Sequence, residues 1–259
     1  MTIVQNIVIS LKGAGKRREH ITNEFSNKNV NFEFFDALTP DLAQPLAKKM
    51  NLNVQEDSLS QGELACFMSH VSIWQKMLDE KIPYLSIFED DVYLGENAAK
   101  VLNDLSWINP LWNIIKTEAF ATKVFLGKTI YPILDGQRRI VQLKGKNLGT
   151  AGYILTLKGA QIYLDYIKSR PLIALDQLMF DDFITKHKND VFQMSPAICI
   201  QEMMLFPKQE LNLSSDLLVQ RQERMKKQKK KGWDKIKLEL FRILKQIKYA
   251  VLAKMIEFK

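Results

Sequence analysis

Three consecutive carboxylates, Glu89, Asp90 and Asp91, stand directly after the uncharged stretch Tyr84 to Phe88. Side by side such groups repel one another, and they make physical sense together when a hard divalent cation or several hydrogen-bond donors offset that repulsion. A cation held there would in turn hold phosphate oxygens, so the chemistry on offer is stabilisation of a phosphate leaving group. The residues just before the acids say where they sit. Tyr84 to Phe88 follows Pro83, is short and carries no charge, which predicts an interior strand of a mainly parallel sheet. Carboxylates at the carboxyl end of such a strand lie in the crevice where open α/β sheets bind ligands. A solvated acidic loop, or an acid capping a helix that begins near Glu96, would account for the triplet without any chemistry, so the rest of the chain has to decide.

The elements around the triplet supply further groups. Ile3 to Leu11 is dense in Ile and Val and ends at Lys12, Gly13, Ala14 and Gly15, a first strand running into a turn, after which Arg17, Arg18 and His20 open a helix. The two glycines make neither a dinucleotide fingerprint, which would need a third where Arg18 stands, nor a phosphate loop, which would need Gly-Lys-Ser/Thr. A cationic turn can meet a nucleotide all the same, or can simply be a solvated helix start. Asn31 to Ala37 reads as a second strand with Asp36 at its end, placed to accept from a ribose hydroxyl or a base, or to cap the turn before Pro40. Ser60 and Glu63 form a capping box, and Leu64, Phe67, Val71, Trp74 and Leu78 recur at helical spacing behind it. Glu63, Cys66 and His70 fall on a neighbouring stripe and can share one edge of a ligand crevice, although His70 equally suits a satisfied core histidine.

Beyond the triplet, Asn97 to Trp112 is predicted helical up to Pro110, with strands at 121–126 and 139–143 around a loop at Gly136. Glu118, just before the first of these, is a candidate acid or sugar-binding group. In Leu148 to Thr156 a small-residue turn feeds a strand, where Gly149 and Gly152 would let backbone approach a ligand or another element closely. A helix from Lys158 to Ile167 stops before Pro171. Asp176 then reads as an N-cap, with Asp181 and Asp182 facing solvent, and Val191 to Ile200, broken by Pro196, is a last apolar element before Gln201 and Glu202.

The 259 residues, 46% hydrophobic, suffice for a substantial core. Of the net charge of +8, residues 221–259 contribute 14 Lys/Arg against 4 Asp/Glu, net +10, which leaves 23 basic and 25 acidic residues, net −2, before them. Cys66 and Cys199 form neither a disulfide framework nor a zinc knuckle, which fits a reducing compartment. The N-terminal residues lack a leader pattern and no segment is long enough to span a bilayer, so the sequence predicts a cytoplasmic protein.

Taken together, Val8 to Leu11 with Arg17 and Arg18, Phe34 to Leu38, Ala65 to His70 with Trp74, Phe88 to Val92, Gly149 to Tyr153, Asp176 with Met179 and Phe180, and Ser195 to Cys199 with Gln201 and Glu202 resemble glycosyltransferase family 25. The resemblance covers most of the chain and is greatest to the bacterial lipooligosaccharide branch, which includes β-1,4-galactosyltransferases. It implies a GT-A type fold, an α/β/α sandwich binding a UDP-sugar donor, with residues 1–212 as the catalytic domain. It also implies a divalent metal, Mn2+ or Mg2+, on Asp91 and then Glu89, and a donor site drawn from Ser10, Leu11, Arg17, Arg18, Asp36, Ser69, His70, Glu89, Asp90, Gly152 and Gln201. Inversion at the sugar carbon needs a carboxylate to take the acceptor hydroxyl's proton; Asp176 and, alternatively, Glu118 are the candidates. A lipooligosaccharide acceptor places the enzyme on the inner face of the cytoplasmic membrane. Residues 213–259 fit that location as a basic amphipathic helical tail, with Trp233, Ile236, Leu240, Ile243, Leu244, Ile247, Val251, Met255 and Phe258 as an apolar stripe for an anionic surface. The alternatives for the tail are a helix docked on the body and a nucleic-acid-binding arm, the latter unaccompanied by any base-reading module. A metal-dependent phosphodiesterase or nucleotidyltransferase, and a non-enzymatic membrane-surface module, are the competing functions.

Overall fold

The computed structural model describes residues 5–120, 123–187, 190–207, 213 and 253–259. In chain order the strands and helices are β1 (Asn6–Ser10), α1 (Gly15–Asn27), β2 (Glu33–Asp36), α2 (Pro40–Lys49), α3 (Gln61–Asp79), β3 (Tyr84–Glu89), β4 (Val92–Leu94), α4 (Ala98–Leu102) and β5 (Ile114–Lys116), followed by β6 (Lys123–Val124), β7 (Leu126–Ile133), β8 (Arg138–Leu143), β9 (Gly152–Thr156), α5 (Leu157–Lys168), α6 (Leu175–Gln177), α7 (Phe183–Lys186), β10 (Val191–Ser195), β11 (Cys199–Gln201), α8 (Glu202–Leu205) and β12 (Lys254–Met255).

Eight strands form one sheet in the order β2-β1-β3-β9-β5-β10-β8-β7. Alternate residues of its central strands feed two separate cores. Ile7, Ile9, Ile87, Ile114 and Leu155 join the core that holds α2, α3 and α5, while Val8, Phe88, Ile115 and Ile154 join the one that holds Ile21, Phe25, Val101 and Leu102 of α1 and α4. A period-two chain with apolar residues on both sides must be covered on both faces, and this one is. The sheet is therefore the middle of three layers. It is mixed rather than mainly parallel: β2, β1 and β3 run parallel, but β9 is antiparallel to both β3 and β5, and β8 is antiparallel to β10 and β7.

The helix predicted behind the capping box is α3. Its Ser60 and Glu63 exchange both capping-box bonds, at 3.1 Å and 2.8 Å, and Phe67, Val71 and Trp74 are fully buried. Elsewhere the structure corrects the sequence reading. The helix predicted over 97–110 stops at Leu102, because the next polar side chains satisfy backbone groups in turns instead. Asp104 accepts from the Ser106 amide at 2.8 Å, Asn109 from Leu111 at 2.9 Å, and Asn103 bonds the backbone of Asn29 and Asn31. Residues 127–133, read as loop, extend the edge strand β7, where Pro132 costs no ladder bond. Val191 to Ile200 divides at Pro196 into two strands in different sheets, since β11 pairs with β4. Asp176 lies inside α6 with Ala174 at the cap position. Asp182 does not face solvent freely: it pairs with Arg170 and accepts from the Tyr166 hydroxyl at 2.8 Å.

Trp233 to Val251 of the apolar stripe lie outside the described residues. Met255 and Phe258 are extended rather than helical: β12 pairs antiparallel with β6, the Ala197 amide donates to Glu257 O at 2.7 Å, and Phe258 packs on the core.

Candidate functional site

Strands β1 and β3 are parallel neighbours with Ile9 opposite Glu89, so Ser10 and the acids leave the sheet at the same end. Ser10 Oγ donates to Asp90 Oδ2 at 2.6 Å. Arg17, in the first turn of α1, pairs with Asp90, stands 3.6 Å from Asp91 Oδ2, and donates to the Leu213 carbonyl at 2.7 Å. Burial works against the Arg17 charge, but Asp90 and Asp91 outweigh it and hold its pKa above the usual value. Asp91 accepts from Gln201 Nε2 at 3.3 Å on each oxygen, and its carbonyl takes the Glu202 amide at 2.9 Å. Even so, burial keeps the Asp91 carboxyl above the ordinary range, Arg17 and Gln201 pulling the other way.

Glu89 Oε1 accepts from Thr150 Oγ1 at 2.6 Å and lies 3.9 Å from His70 Nε2. Burial first, and then the charge of Asp91, push its carboxyl up to about 8. His70 is fully buried on α3, which drives its imidazole down to about 3, so the ring is neutral. Its Nδ1 meets the Tyr153 hydroxyl at 2.7 Å, and that hydroxyl also receives the Trp74 indole N–H at 3.0 Å. Among the described residues, Cys66, His70 and Glu89 are a trio whose ligand-type atoms all lie within 4.8 Å of one another. Burial raises the Cys66 thiol well above its usual range, with the charges of Glu89 and then Asp176 adding to it.

Glu118 has a different setting. Both it and Lys116 are fully buried, with Lys116 Nζ 2.7 Å from Glu118 Oε2 and 2.6 Å from the Gly149 carbonyl, and with the ammonium over the Phe180 ring at 4.4 Å. The Ala151 amide donates to Glu118 Oε2 at 3.2 Å. Gly149 has φ +89°, and a Cβ there would lie 2.5 Å from Glu118 Oε1, so the glycine turn and the buried pair require each other.

The remaining predicted donor-site residues divide in two. Arg18 bonds the carbonyls of Ser10 at 3.0 Å and Leu11 at 3.1 Å, pairs with Asp36 and covers the Phe34 ring at 4.7 Å, joining the ends of β1 and β2 at the rim of the crevice. Ser69 instead pins α3 to the segment after β2, accepting from the Leu38 amide at 2.9 Å, and Gly152 lets Cys199 pack, since a Cβ would lie 2.1 Å from its sulfur. The sequence reading missed Thr150 and Tyr153 as partners of the site. Both stand in the Gly149 to Tyr153 stretch it had singled out for its glycines.

The profile of glycosyltransferase family 25 (LPS biosynthesis protein) matches residues 3–179. The lipooligosaccharide biosynthesis protein lic2B of Haemophilus influenzae is 39% identical over 236 residues, 87% of this chain and 86% of that protein. The lipooligosaccharide biosynthesis protein lex-1 of Haemophilus influenzae is 34% identical, over 95% of this chain and 91% of its own length. The lacto-N-neotetraose biosynthesis glycosyltransferase LgtE of Neisseria gonorrhoeae is 36% identical, over 85% of this chain and 82% of its own. With strand-end acids at the crevice and more than half of the sequence covered by one family, this chain belongs to glycosyltransferase family 25.

Proposed function

We propose that the chain moves a hexose, galactose in the first instance, from a UDP-sugar to a growing lipooligosaccharide, with inversion at the transferred carbon. The observation that carries this reading is the convergence of Glu89, Asp90, Asp91 and Arg17 at the end of β1 and β3 in a family 25 chain. The sugar and acceptor follow the galactosyltransferase branch that the motifs resemble and the printed names of the relatives.

The residues present fit a hard divalent cation. One guanidinium serves Asp90 and Asp91, yet burial and mutual repulsion still hold Glu89 and Asp91 above the carboxylate range, a deficit of positive charge that Mn2+ or Mg2+ would fill. Asp91 and then Glu89 would hold the ion, which when bound offsets charge developing on the departing diphosphate. Arg17 supplies fixed positive charge to the same end of the site, and Ser10 holds Asp90 so that the guanidinium stays in place. Arg18 and Asp36 at the rim would face the nucleoside. Asp176 takes the proton from the acceptor hydroxyl: its charge is felt at Cys66, whereas Glu118 is fully buried and held by Lys116.

No helix among the described residues is long and apolar enough to cross a membrane. Attachment to the anionic inner face is assigned to the basic residues of 221–259. It should weaken with salt and with replacement of tail lysines by glutamine, read by co-sedimentation with anionic vesicles. Unchanged co-sedimentation would remove the tail from the account.

The decisive measurement is saturable binding of a panel of UDP-sugars with and without Mn2+, followed by transfer to a soluble saccharide. Asp91→Ala should abolish transfer and the metal-dependent part of donor binding while the fold persists. Metal-dependent binding of normal strength in that variant refutes the metal assignment, and hydrolysis without any need for an acceptor would point to a phosphodiesterase.

A further inference from the structure

His70 is fully buried, and its Nε2 has no hydrogen-bond partner among the described residues. Counting protons around Tyr153 fixes what that nitrogen carries. The Trp74 indole can only donate, so its 3.0 Å contact takes up acceptor capacity of the Tyr153 oxygen. The hydroxyl's own proton then has one partner among its contacts, His70 Nδ1 at 2.7 Å. Nδ1 is therefore the acceptor, and the imidazole proton sits on Nε2. Nε2 lies 3.9 Å from Glu89 Oε1, too far for a direct bond, and one oxygen atom set to the side of that line can stand about 2.8 Å from both. Both walls of the gap are held: Thr150 fixes Oε1 at 2.6 Å, and Tyr153 with Trp74 fixes the ring.

We propose that His70 Nε2–H and Glu89 Oε1 form a two-point receptor for a single hydroxyl of the donor's sugar, the hydroxyl oxygen accepting from the imidazole and its proton going to Oε1. This rests on the UDP-sugar reading above and names a specificity element within it. The competing occupant is a soft metal ion shared with Cys66, whose atoms lie within 4.8 Å of the other two. Such an ion would take the lone pair of Nε2, move the proton to Nδ1, and strand the Tyr153 hydroxyl proton in a buried site, which is why the hydroxyl is preferred.

The test compares a UDP-sugar with its singly deoxygenated analogues in the wild type, His70→Leu and His70→Gln. In the wild type one analogue should bind about 10- to 100-fold more weakly than the parent. In His70→Leu that single ratio should collapse toward one while the ranking of the other analogues stays, and His70→Gln, which keeps an N–H at similar reach, should restore part of it. A His70→Leu protein that loses affinity for all the analogues alike shows a purely structural histidine and overturns the proposal. Nitrogen-15 NMR of His70 in the free wild-type protein covers the case of a variant that fails to fold: an Nε2–H tautomer supports the receptor, and an Nδ1–H tautomer sinks it. A thiolate-to-cobalt charge-transfer band on adding Co2+, lost in Cys66→Ser, likewise replaces it with the metal. A wild-type protein that binds no UDP-sugar overturns the function proposed above together with this subsite, whereas normal binding with unchanged ratios overturns the subsite alone.

Discussion

Two groups of carboxylates lie within one molecule and have been treated oppositely. Glu118 has its own lysine two residues away, no exposure, and a glycine turn closed over it. Glu89, Asp90 and Asp91 share Arg17, and a quarter of the Glu89 side chain is exposed. The first is paired and sealed, although Glu118 Oε1 has no hydrogen-bond partner among the described residues and burial raises its carboxyl above the ordinary range; the second is partly open. An acid with its own lysine and no exposure holds the fold, whereas three acids that share one guanidinium leave negative charge for something that arrives.

The largest effect that should separate them is on stability. Glu118→Ala leaves the Lys116 ammonium buried without its counter-charge and should cost about 3–5 kcal/mol in urea unfolding. Asp91→Asn should cost little in the metal-free protein, because it removes a repulsion, and the Glu89 carboxyl should titrate below about 8, followed by carboxyl-carbon NMR. Equal losses in the two variants would erase the distinction.

The next largest effect is on turnover. Asp176→Asn should lower kcat on the order of 100-fold with donor binding retained. A folded Glu118→Gln protein should keep most of its rate, and the reverse pattern exchanges the roles of the two acids. Gly149→Ala should then destabilise by about 1–3 kcal/mol, since its methyl would press on Glu118 and its φ of +89° disfavours a side chain. Calorimetry that finds no change there would mean the turn and the pair are not interlocked.

A further effect is a pH slope at the buried His70. Burial lowers the His70 pKa from 6.5 to about 3, so below pH 6.5 the unfolded chain binds a proton that the folded chain refuses. The stability from His70 is complete above pH 6.5 and is lost as the pH falls toward 3. Denaturation midpoints over that window should fall less steeply for His70→Gln than for the wild type, and parallel slopes would show a histidine that titrates normally.

The triplet's half of this contrast was legible before the structure, and the Glu118 half was not, for physical reasons. The apolar run Tyr84 to Phe88 with three acids after it placed the crevice, because a short uncharged strand must end somewhere wet. The spacing of Leu64, Phe67, Val71 and Trp74 gave α3, and with it Cys66 and His70 on one edge. What could not be read was partnership across the sheet. Glu118, two residues beyond Lys116 at the end of β5, read as a candidate acid or sugar-binding group, and the sequence did not show that it is buried against that lysine beside β9. Glu63 looked like the third member of the Cys66 and His70 stripe, but its carboxylate is used by the capping box, and Glu89 arrives from another element to take the place. The helix expected past Leu102 failed because the local bonds of Asp104 and Asn109, and the long-range bonds of Asn103 to Asn29 and Asn31, competed with it.

The strand β12 and the residue Leu213 have one more consequence. Leu213 is fastened by its carbonyl to Arg17 and by its amide to Glu202 at 2.8 Å, and residues 254–259 are fastened to β6, Ala197 and Arg138. Both described parts of the C-terminal region are therefore built into the catalytic body, and a truncation near residue 215 would take β12 and the carbonyls of Glu257 and Lys259 away from β6, Ala197 and Arg138 along with the basic residues.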